Sequence, residues 1–88
     1  MRRNKIEIVN DILVSIQDKN GKIKPTHLLY KSNLSYKKMK EYIDELIKKE
    51  MMKEKEVDEN RYYFITDKGL KFISEFKKMK EFTESFGL

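Results

Sequence analysis

Residues 26–50 read THLLYKSNLSYKKMKEYIDELIKKE, and two helical patterns within them are separated by a short polar turn. The first pattern is short, because Ser32 and Asn33 favour turns over helix interiors. The second begins at Ser35, a residue type that caps helices, and runs to about Glu50. Its apolar side chains fall within about 140° of arc, as expected of an amphipathic helix. Two helices joined by so short a turn predict a helix-turn-helix.

The segment before this pair is predicted to form another helix. Apolar residues recur at helical spacing over residues 4–18. Asn4 and Glu7 have the spacing of a capping box, in which each side chain bonds the backbone N–H of the other. The helix should end after Lys19, where an asparagine and a glycine tolerate left-handed backbone. Residues 21–24 are too few for more than a strand-like link.

The segment after the pair is predicted to form a β-hairpin and a last helix. Residues 51–57 are a candidate strand, residues 58–61 are a polar turn, and the aromatic and β-branched residues of 62–66 favour a second strand. Thr66 then caps a helix from residue 67 to about residue 86. A hairpin directly after a helix-turn-helix makes it winged, so we predict an α+β, mostly helical, winged helix-turn-helix fold.

We predict a single domain, because 88 residues are about the length of one. Residues 1–66 would form the winged helix-turn-helix core, with the recognition helix at about 35–50 and the wing at about 51–66. Residues 67–88 would form a C-terminal helix that packs on the core and dimerises.

The charge is concentrated in one part of the chain. The formal net charge is +5, yet residues 19–40 hold seven lysines and no acid. A basic stretch on an otherwise balanced protein is typical of a polyanion binder, although a lysine-rich solvated surface would look similar. This basic stretch overlaps the start of the predicted recognition helix, where lysines can reach phosphates or guanine O6 and N7. The overlap favours DNA binding.

Composition excludes several classes of protein. The chain has no Cys and one His, so it has no disulfide framework, no thiolate zinc site and no His-rich metal centre. No apolar run approaches the roughly 20 residues that span a bilayer, and no signal-peptide core follows the basic start Met1–Lys5. No catalytic motif stands out. We therefore expect a cytoplasmic, nucleoid-associated protein that is not an enzyme and uses no metal or cofactor.

Two short runs resemble a known family. Residues 29–36, LYKSNLSY, followed by Tyr42, Ile43 and Leu46, resemble the Y-x-x-N-L-S-Y run of archaeal winged-helix regulators. Residues 63–69, YFITDKG, are similar to the family's Y-x-L-T-x-K-G run after the wing. The small dimeric archaeal chromatin proteins of the ten-a type share both runs. The resemblance covers about residues 5–85.

The resemblance implies a winged-helix DNA-binding domain that dimerises through its C-terminal helix. By position, it places Asn33, Ser35, Tyr36, Lys37 and Lys40 at the turn and the start of the recognition helix. It places Arg61 in the wing. With the neighbouring basic and capping residues, the predicted DNA contacts are Lys24, Thr26, Lys31, Asn33, Ser35, Tyr36, Lys37, Lys38, Lys40 and Arg61.

Acidic residues depart from the family's pattern. They lie at the tip of the wing and in the middle of the recognition helix, where they would repel phosphates. The predicted footprint is therefore the N-terminal end of that helix with its flanking lysines. The acidic residues are Glu54, Glu56, Asp58 and Glu59 in the wing and Glu41, Asp44 and Glu45 in the helix.

The C-terminal helix carries a row of apolar residues with a coiled-coil spacing of 4, 3, 4 and 3. One small core can bury Leu70 and Ile73 but cannot reach the end of the helix, since each residue adds about 1.5 Å. A partner chain is the simplest cover, and the alternative is that the helix bends back over its own core. The predicted dimer interface consists of Phe72, Phe76, Met79, Phe82, Thr83 and Phe86.

Two functional hypotheses stay open. The first is a homodimer that binds double-stranded DNA as a transcriptional regulator or chromatin-associated protein. The alternative is a winged-helix protein-interaction module or subunit adaptor that does not bind DNA, which the acidic surface would suit.

Three other features are more simply structural. His27 is interpreted as a surface residue, and the aromatic run 62–64 as hairpin packing rather than a base-stacking platform. Glu45 is predicted to pair with Lys49 along the helix rather than to hold a metal.

Overall fold

The computed structural model describes residues 3–88, which form four helices and a three-stranded antiparallel sheet. Met1 and Arg2, the start of the predicted core, lie outside this range. The order confirms the predicted α+β, mostly helical, winged fold with a long C-terminal helix. The elements are α1 (Lys5–Gln17), β1 (Lys22–Ile23), α2 (Pro25–Ser32), α3 (Tyr36–Lys48), β2 (Met52–Val57), β3 (Asn60–Ile65) and α4 (Asp67–Ser85).

The sheet has the strand order β1-β3-β2, so the predicted link at residues 21–24 supplies a real strand. Ile23 of β1 pairs with Tyr63 of β3. The hairpin turn is shorter than predicted, because Val57 pairs with Asn60 and leaves only Asp58 and Glu59 between the strands. Both turn residues have positive φ, 51° and 66°, as a tight type I′ hairpin turn requires.

The N-terminus of α1 is capped as predicted. The Asn4 side chain accepts a hydrogen bond from the Glu7 backbone N–H at 2.8 Å, and the Glu7 carboxylate accepts one from the Asn4 N–H at 3.1 Å. This capping box fixes where α1 begins.

The core lies between α1, the helix-turn-helix and the inner face of the sheet. Its fully buried side chains include Ile12, Leu13 and Ile16 of α1, Leu28 of α2 and Ile43 of α3. α1 therefore supplies the largest share of the core and packs against both α2 and α4.

Some residues on predicted apolar faces are exposed. The Tyr36 side chain is 67% exposed, because it lies at the first turn of α3 beyond the edge of the core. The prediction that the core buries Leu70 is wrong, since Leu70 is 39% exposed. α4 instead presents Phe72 and Ile73 to the core.

One junction fixes the start of α4. The Thr66 hydroxyl donates a hydrogen bond to the Glu50 carbonyl at 2.6 Å and accepts one from the Gly69 N–H at 3.2 Å. Gly69 is buried, and a Cβ at this position would collide with the Met51 carbonyl oxygen and with Ile65. The end of α3, the start of β2 and the first turn of α4 thus meet at one point.

We expect Gly69→Ala to lower the free energy of unfolding by about 1–3 kcal/mol, because backbone of the Met51 segment must move to admit the methyl group. In an open helix the same change would raise that free energy by about 1 kcal/mol. Ser74→Ala, an exposed position on α4, is the control. Chemical denaturation measures both, and a Gly69→Ala protein as stable as the parent would contradict the close contact.

Candidate nucleic-acid interface

The turn between α2 and α3 is three residues long. Pro25 occupies the first turn of α2, and Asn33 ends the helix in a left-handed conformation with φ 56°. Ser35 then caps α3, since its hydroxyl accepts a hydrogen bond from the Lys38 N–H at 3.2 Å. This confirms the predicted cap.

Arg3 anchors the end of α2 to α1. One guanidinium nitrogen donates a hydrogen bond to the Ser32 carbonyl at 2.9 Å, and another bonds the Asp11 carboxylate at 2.6 Å. The sequence does not predict this contact, because no local pattern connects residues 29 positions apart. The anchor supports the turn that precedes the recognition helix.

All ten predicted DNA-contacting residues are exposed. The structure brings four of them together around a cavity of about 210 Å³ between α2, α3 and the wing, namely Thr26, Tyr36, Lys40 and Arg61. Lys24 lies elsewhere, with its ammonium group 5.9 Å from the centre of the Tyr62 ring. Lys31, Lys37 and Lys38 do not line this cavity.

Ion pairs divide the basic residues into two groups. Lys38 lies 3.8 Å from the Glu41 carboxylate, and Lys40 lies 3.3 Å from that of Asp44. The hydrogen bond to Asp44, with its negative charge, raises the pKa of Lys40 above its ordinary value. Arg61 pairs with Glu54 at 3.6 Å.

The remaining basic residues leave the positive charge uncompensated. Within residues 3–88, Lys24, Lys31 and Lys37 form no ion pair. Lys31 at the end of α2 and Lys37 in the first turn of α3 flank the three-residue turn. The positive charge there is available to an external anion.

One acid of α3 pairs with a different residue from the one predicted. Glu45 accepts a hydrogen bond from Lys5 of α1 at 2.8 Å, so the predicted pairing with Lys49 is wrong. This bond lowers the pKa of Glu45 and raises the pKa of Lys5.

In the described part of the chain, no three His, Cys, Asp or Glu side chains are grouped so that they could hold a metal ion. Residues 3–88 also contain no helix long and apolar enough to cross a membrane.

The two faces of the wing carry opposite charge. Glu54 is paired with Tyr63 in the strand register, and it lies with Arg61 on the face turned toward α3. Burial raises the pKa of Tyr63, and the Glu54 carboxylate raises it further. Lys53 and Lys55 alternate with the acids and therefore lie on the outer face.

The outer face also holds basic residues beyond those predicted to contact DNA. Lys22, Lys53 and Lys55 were not among the predicted contacts. The Lys22 ammonium lies 5.0 Å from the centre of the Tyr62 ring, next to Lys24. The signal that could have found them is the alternation of lysines in the runs 22–24 and 53–55.

The apolar row of α4 is only partly covered. Phe72 packs against the core, whereas Phe82 and Phe86 are 65% and 68% exposed with ring centres 5.2 Å apart. α4 continues as one helix to Ser85, so its end does not bend back over the core. An open groove of about 310 Å³, lined mainly by Ile6, Phe76 and Met79 with Phe72 and Glu75, runs along this face.

Known proteins share this architecture. The sequence pattern of the winged helix-turn-helix family matches residues 2–84. No curated protein matches the chain. Sso10a-2, a DNA-binding protein from Sulfolobus solfataricus, is 25% identical, and the match covers 96% of this chain and 85% of that one with a TM-score of 0.80. These matches confirm the resemblance inferred from the sequence.

Two other solved structures share the fold alone. F93 from STIV, a winged-helix DNA-binding protein, is 20% identical with a TM-score of 0.71, and the match covers 91% of this chain and 92% of that one. BpsR of Bordetella bronchiseptica, whose DNA binding is regulated by 6-hydroxynicotinic acid, is 12% identical with a TM-score of 0.73. That match covers 89% of this chain and 61% of BpsR.

We expect Asn33→Gly to leave the free energy of unfolding nearly unchanged, because glycine adopts the left-handed conformation without strain. Asn33→Val should lower it by about 1–2 kcal/mol, since a β-branched residue is strained there. Lys31→Val, at an exposed helical position, is the control and should cost only about 0.5 kcal/mol. Equal losses in the two valine variants, measured by chemical denaturation, would contradict a role for the left-handed turn.

Proposed function

The chain belongs to the winged helix-turn-helix family, and on that premise we propose that it binds double-stranded DNA as a homodimer, as a binding protein rather than an enzyme. The observation that carries the proposal is the pair of exposed lysines, Lys31 and Lys37, which flank the turn before α3 and form no ion pair within residues 3–88. The description of Sso10a-2 as a DNA-binding protein supports it.

The proposed contact places the N-terminal end of α3 in the major groove, as in other helix-turn-helix proteins. Lys37 would reach a phosphate or a guanine edge. Ser35 and the N-terminus of α3 would lie against a phosphate, because a helix N-terminus favours anions. Thr26 and Arg61, at the rim of the 210 Å³ cavity, would contact the flanking backbone.

Acids limit how deeply α3 can enter the groove. Glu41 and Asp44 already neutralise Lys38 and Lys40, and they would repel phosphates placed near the middle of the helix. Glu54 has the same effect on the inner face of the wing. The footprint proposed for one protomer is therefore short, and two protomers would be needed for tight binding.

The proposed dimer forms along α4. The exposed row of Met79, Phe82 and Phe86, with Phe76 and Thr83 beside it, has coiled-coil spacing, and exposed apolar surface of this kind marks an interaction site. A second copy of α4, with its own aromatic row, would cover it. A symmetric pair would present two recognition helices to two half-sites about one helical turn of DNA, roughly 34 Å, apart or a multiple of that distance.

The proposed biological role is transcriptional regulation or chromatin association in the cytoplasm, at the nucleoid. The two roles differ in the ratio of affinity for a preferred duplex to affinity for random duplex. A regulator needs a ratio of about 10³ or more, whereas an architectural protein does not.

We expect Lys37→Ala to weaken duplex binding and to flatten its salt dependence. Each lost phosphate contact should reduce the slope of log affinity against log salt by about 0.9. Fluorescence anisotropy of a labelled duplex, titrated at several salt concentrations, measures both quantities. Lys77→Ala, which removes an equal charge from an exposed position on α4, is the matched control. If Lys37→Ala behaves like this control, Lys37 is not in the footprint.

We expect Met79→Glu to convert the dimer to a monomer, because a charge in the centre of the apolar row has no partner when the two helices pack. Met79 is exposed in one protomer, so the fold of the monomer should survive. Analytical ultracentrifugation measures the assembly, and the control is Glu81→Lys, about 200° round the helix. A monomeric parent protein would contradict the proposed dimer.

The second candidate function, a protein-interaction module, is favoured by the acidic surface formed by Glu41 and Asp44 on α3 with Glu54 on the wing. The same anisotropy titration separates the two functions. Duplex binding that is absent even at low salt would favour the interaction module, whereas affinity that falls steeply with salt would favour DNA.

A further inference from the structure

The outer face of the three-stranded sheet combines lysines with two aromatic rings. In the strand register, Phe64 of β3 lies between Lys22 of β1 and Lys53 of β2. Tyr62 is paired with Lys55, and the Lys24 ammonium lies 5.9 Å from its ring centre. On this outer face, four basic side chains therefore surround two neighbouring rings. The face consists of Lys22, Lys24, Lys53, Lys55, Tyr62 and Phe64.

The two rings are not part of the core. Tyr63, between them in sequence, is buried on the inner face, whereas Tyr62 and Phe64 are half-buried and lie outside the core cluster of residues 3–88. They pack edge to face with ring centres 6.3 Å apart. Of the run 62–64, interpreted from the sequence as core and hairpin packing, only Tyr63 is in the core, whereas Tyr62 and Phe64 pack on each other on the outer face.

The charge on this face has one sign. All four lysines are exposed, and none of them forms an ion pair within the described range 3–88. The acids of β2, Glu54 and Glu56, alternate with Lys53 and Lys55 and so point to the other side. A polyanion would meet uniformly positive potential here.

We propose that this outer face binds single-stranded nucleic acid, with phosphates on the lysines and two adjacent bases on Tyr62 and Phe64. Aromatic rings on an open sheet can stack on unpaired bases, whereas a duplex hides its base faces. The combination of a basic face with stacking rings thus selects a single strand over a duplex.

The two lysines over the Tyr62 ring are placed to exchange the ring for a phosphate when a strand binds. Their ammonium groups, at 5.0 and 5.9 Å from the ring centre, hold positive charge over its π face. When a strand binds, each ammonium moves to a phosphate and leaves the ring to a base.

Except for Lys24, which is also among the DNA contacts predicted from the sequence, this surface is separate from the proposed duplex site. The duplex contacts lie on α3 and around the cavity that Tyr63 and Arg61 line, on the inner side of the sheet. The strand contacts lie on the outer side. The two activities can therefore be removed independently, and failure of one leaves the other standing.

Anisotropy of labelled oligothymidylate and oligouridylate, each of about 12 nucleotides, tests the proposal beside a random duplex of equal length. The double variant Tyr62→Leu, Phe64→Leu keeps apolar cover but removes both π faces. It should weaken single-strand binding by about tenfold or more and leave duplex binding unchanged. Tyr62→Phe keeps the ring and should retain the parent affinity. Binding of either oligonucleotide supports the proposal, and the absence of binding by both would overturn it.

A second variant separates loss of nucleic-acid binding from loss of folding. Lys53→Ala, Lys55→Ala changes two exposed residues and should reduce the single-strand salt slope by about 1.4, or 0.7 for each phosphate contact. Lys77→Ala, Lys80→Ala on α4 is the charge-matched control and should change nothing. Unchanged single-strand affinity in both sheet variants would overturn the proposal. Equal weakening of duplex and single-strand binding would also overturn it, because the face would then belong to the duplex footprint.

Discussion

The hydrogen bond from the Thr66 hydroxyl to the Glu50 carbonyl joins the two segments that flank the β-hairpin. Glu50 closes α3 with φ 63°, and Thr66 opens α4, although 16 residues separate them. Gly69 lies directly against the Met51 backbone, so the first turn of α4 is held close to the segment that precedes β2. The contact thus joins the start of α4 to the end of α3 across the hairpin.

Charge pairing within α3 decides which part of the helix can bind an anion. Residues 36–40 hold three lysines, but Glu41 and Asp44 each lie within ion-pair distance of a lysine one turn away. Of these three, only Lys37 in the first turn, near the left-handed Asn33, forms no ion pair within residues 3–88. Ion pairing thus gives a second reason, beside the positions of the acids in the sequence, to favour the N-terminal end.

Element types followed from the sequence because periodicity and caps are local. The capping box of Asn4 and the hydroxyl cap of Ser35 are examples, since each depends on residues three positions apart. β1 was beyond such reasoning, because a two-residue strand exists only through its pairing with β3 some 40 positions later. The exposure of Leu70 was likewise fixed by how α4 meets the core, which periodicity alone does not specify.

The candidate site was likewise predictable from the sequence only in part. The ten predicted residues are surface residues, which charge and polarity indicate well. Which lysines are neutralised depends on neighbours in space, as the bond between Lys5 and Glu45 shows across 40 positions. The outer lysines of the sheet could not be predicted as a group, because alternation along a strand assigns residues to a face only when the inner face is known.

The tight turn at Asp58 and Glu59 also sets the charge on each face of the hairpin. Side chains alternate between the two faces of the hairpin, so a shift of β2 by one residue against β3 would exchange its acids and lysines. Lys53 and Lys55 would then face α3, and Glu54 would face solvent. A one-residue change in the register of β2 against β3 would therefore invert the charge of both surfaces of the hairpin at once, whereas a two-residue change would preserve it.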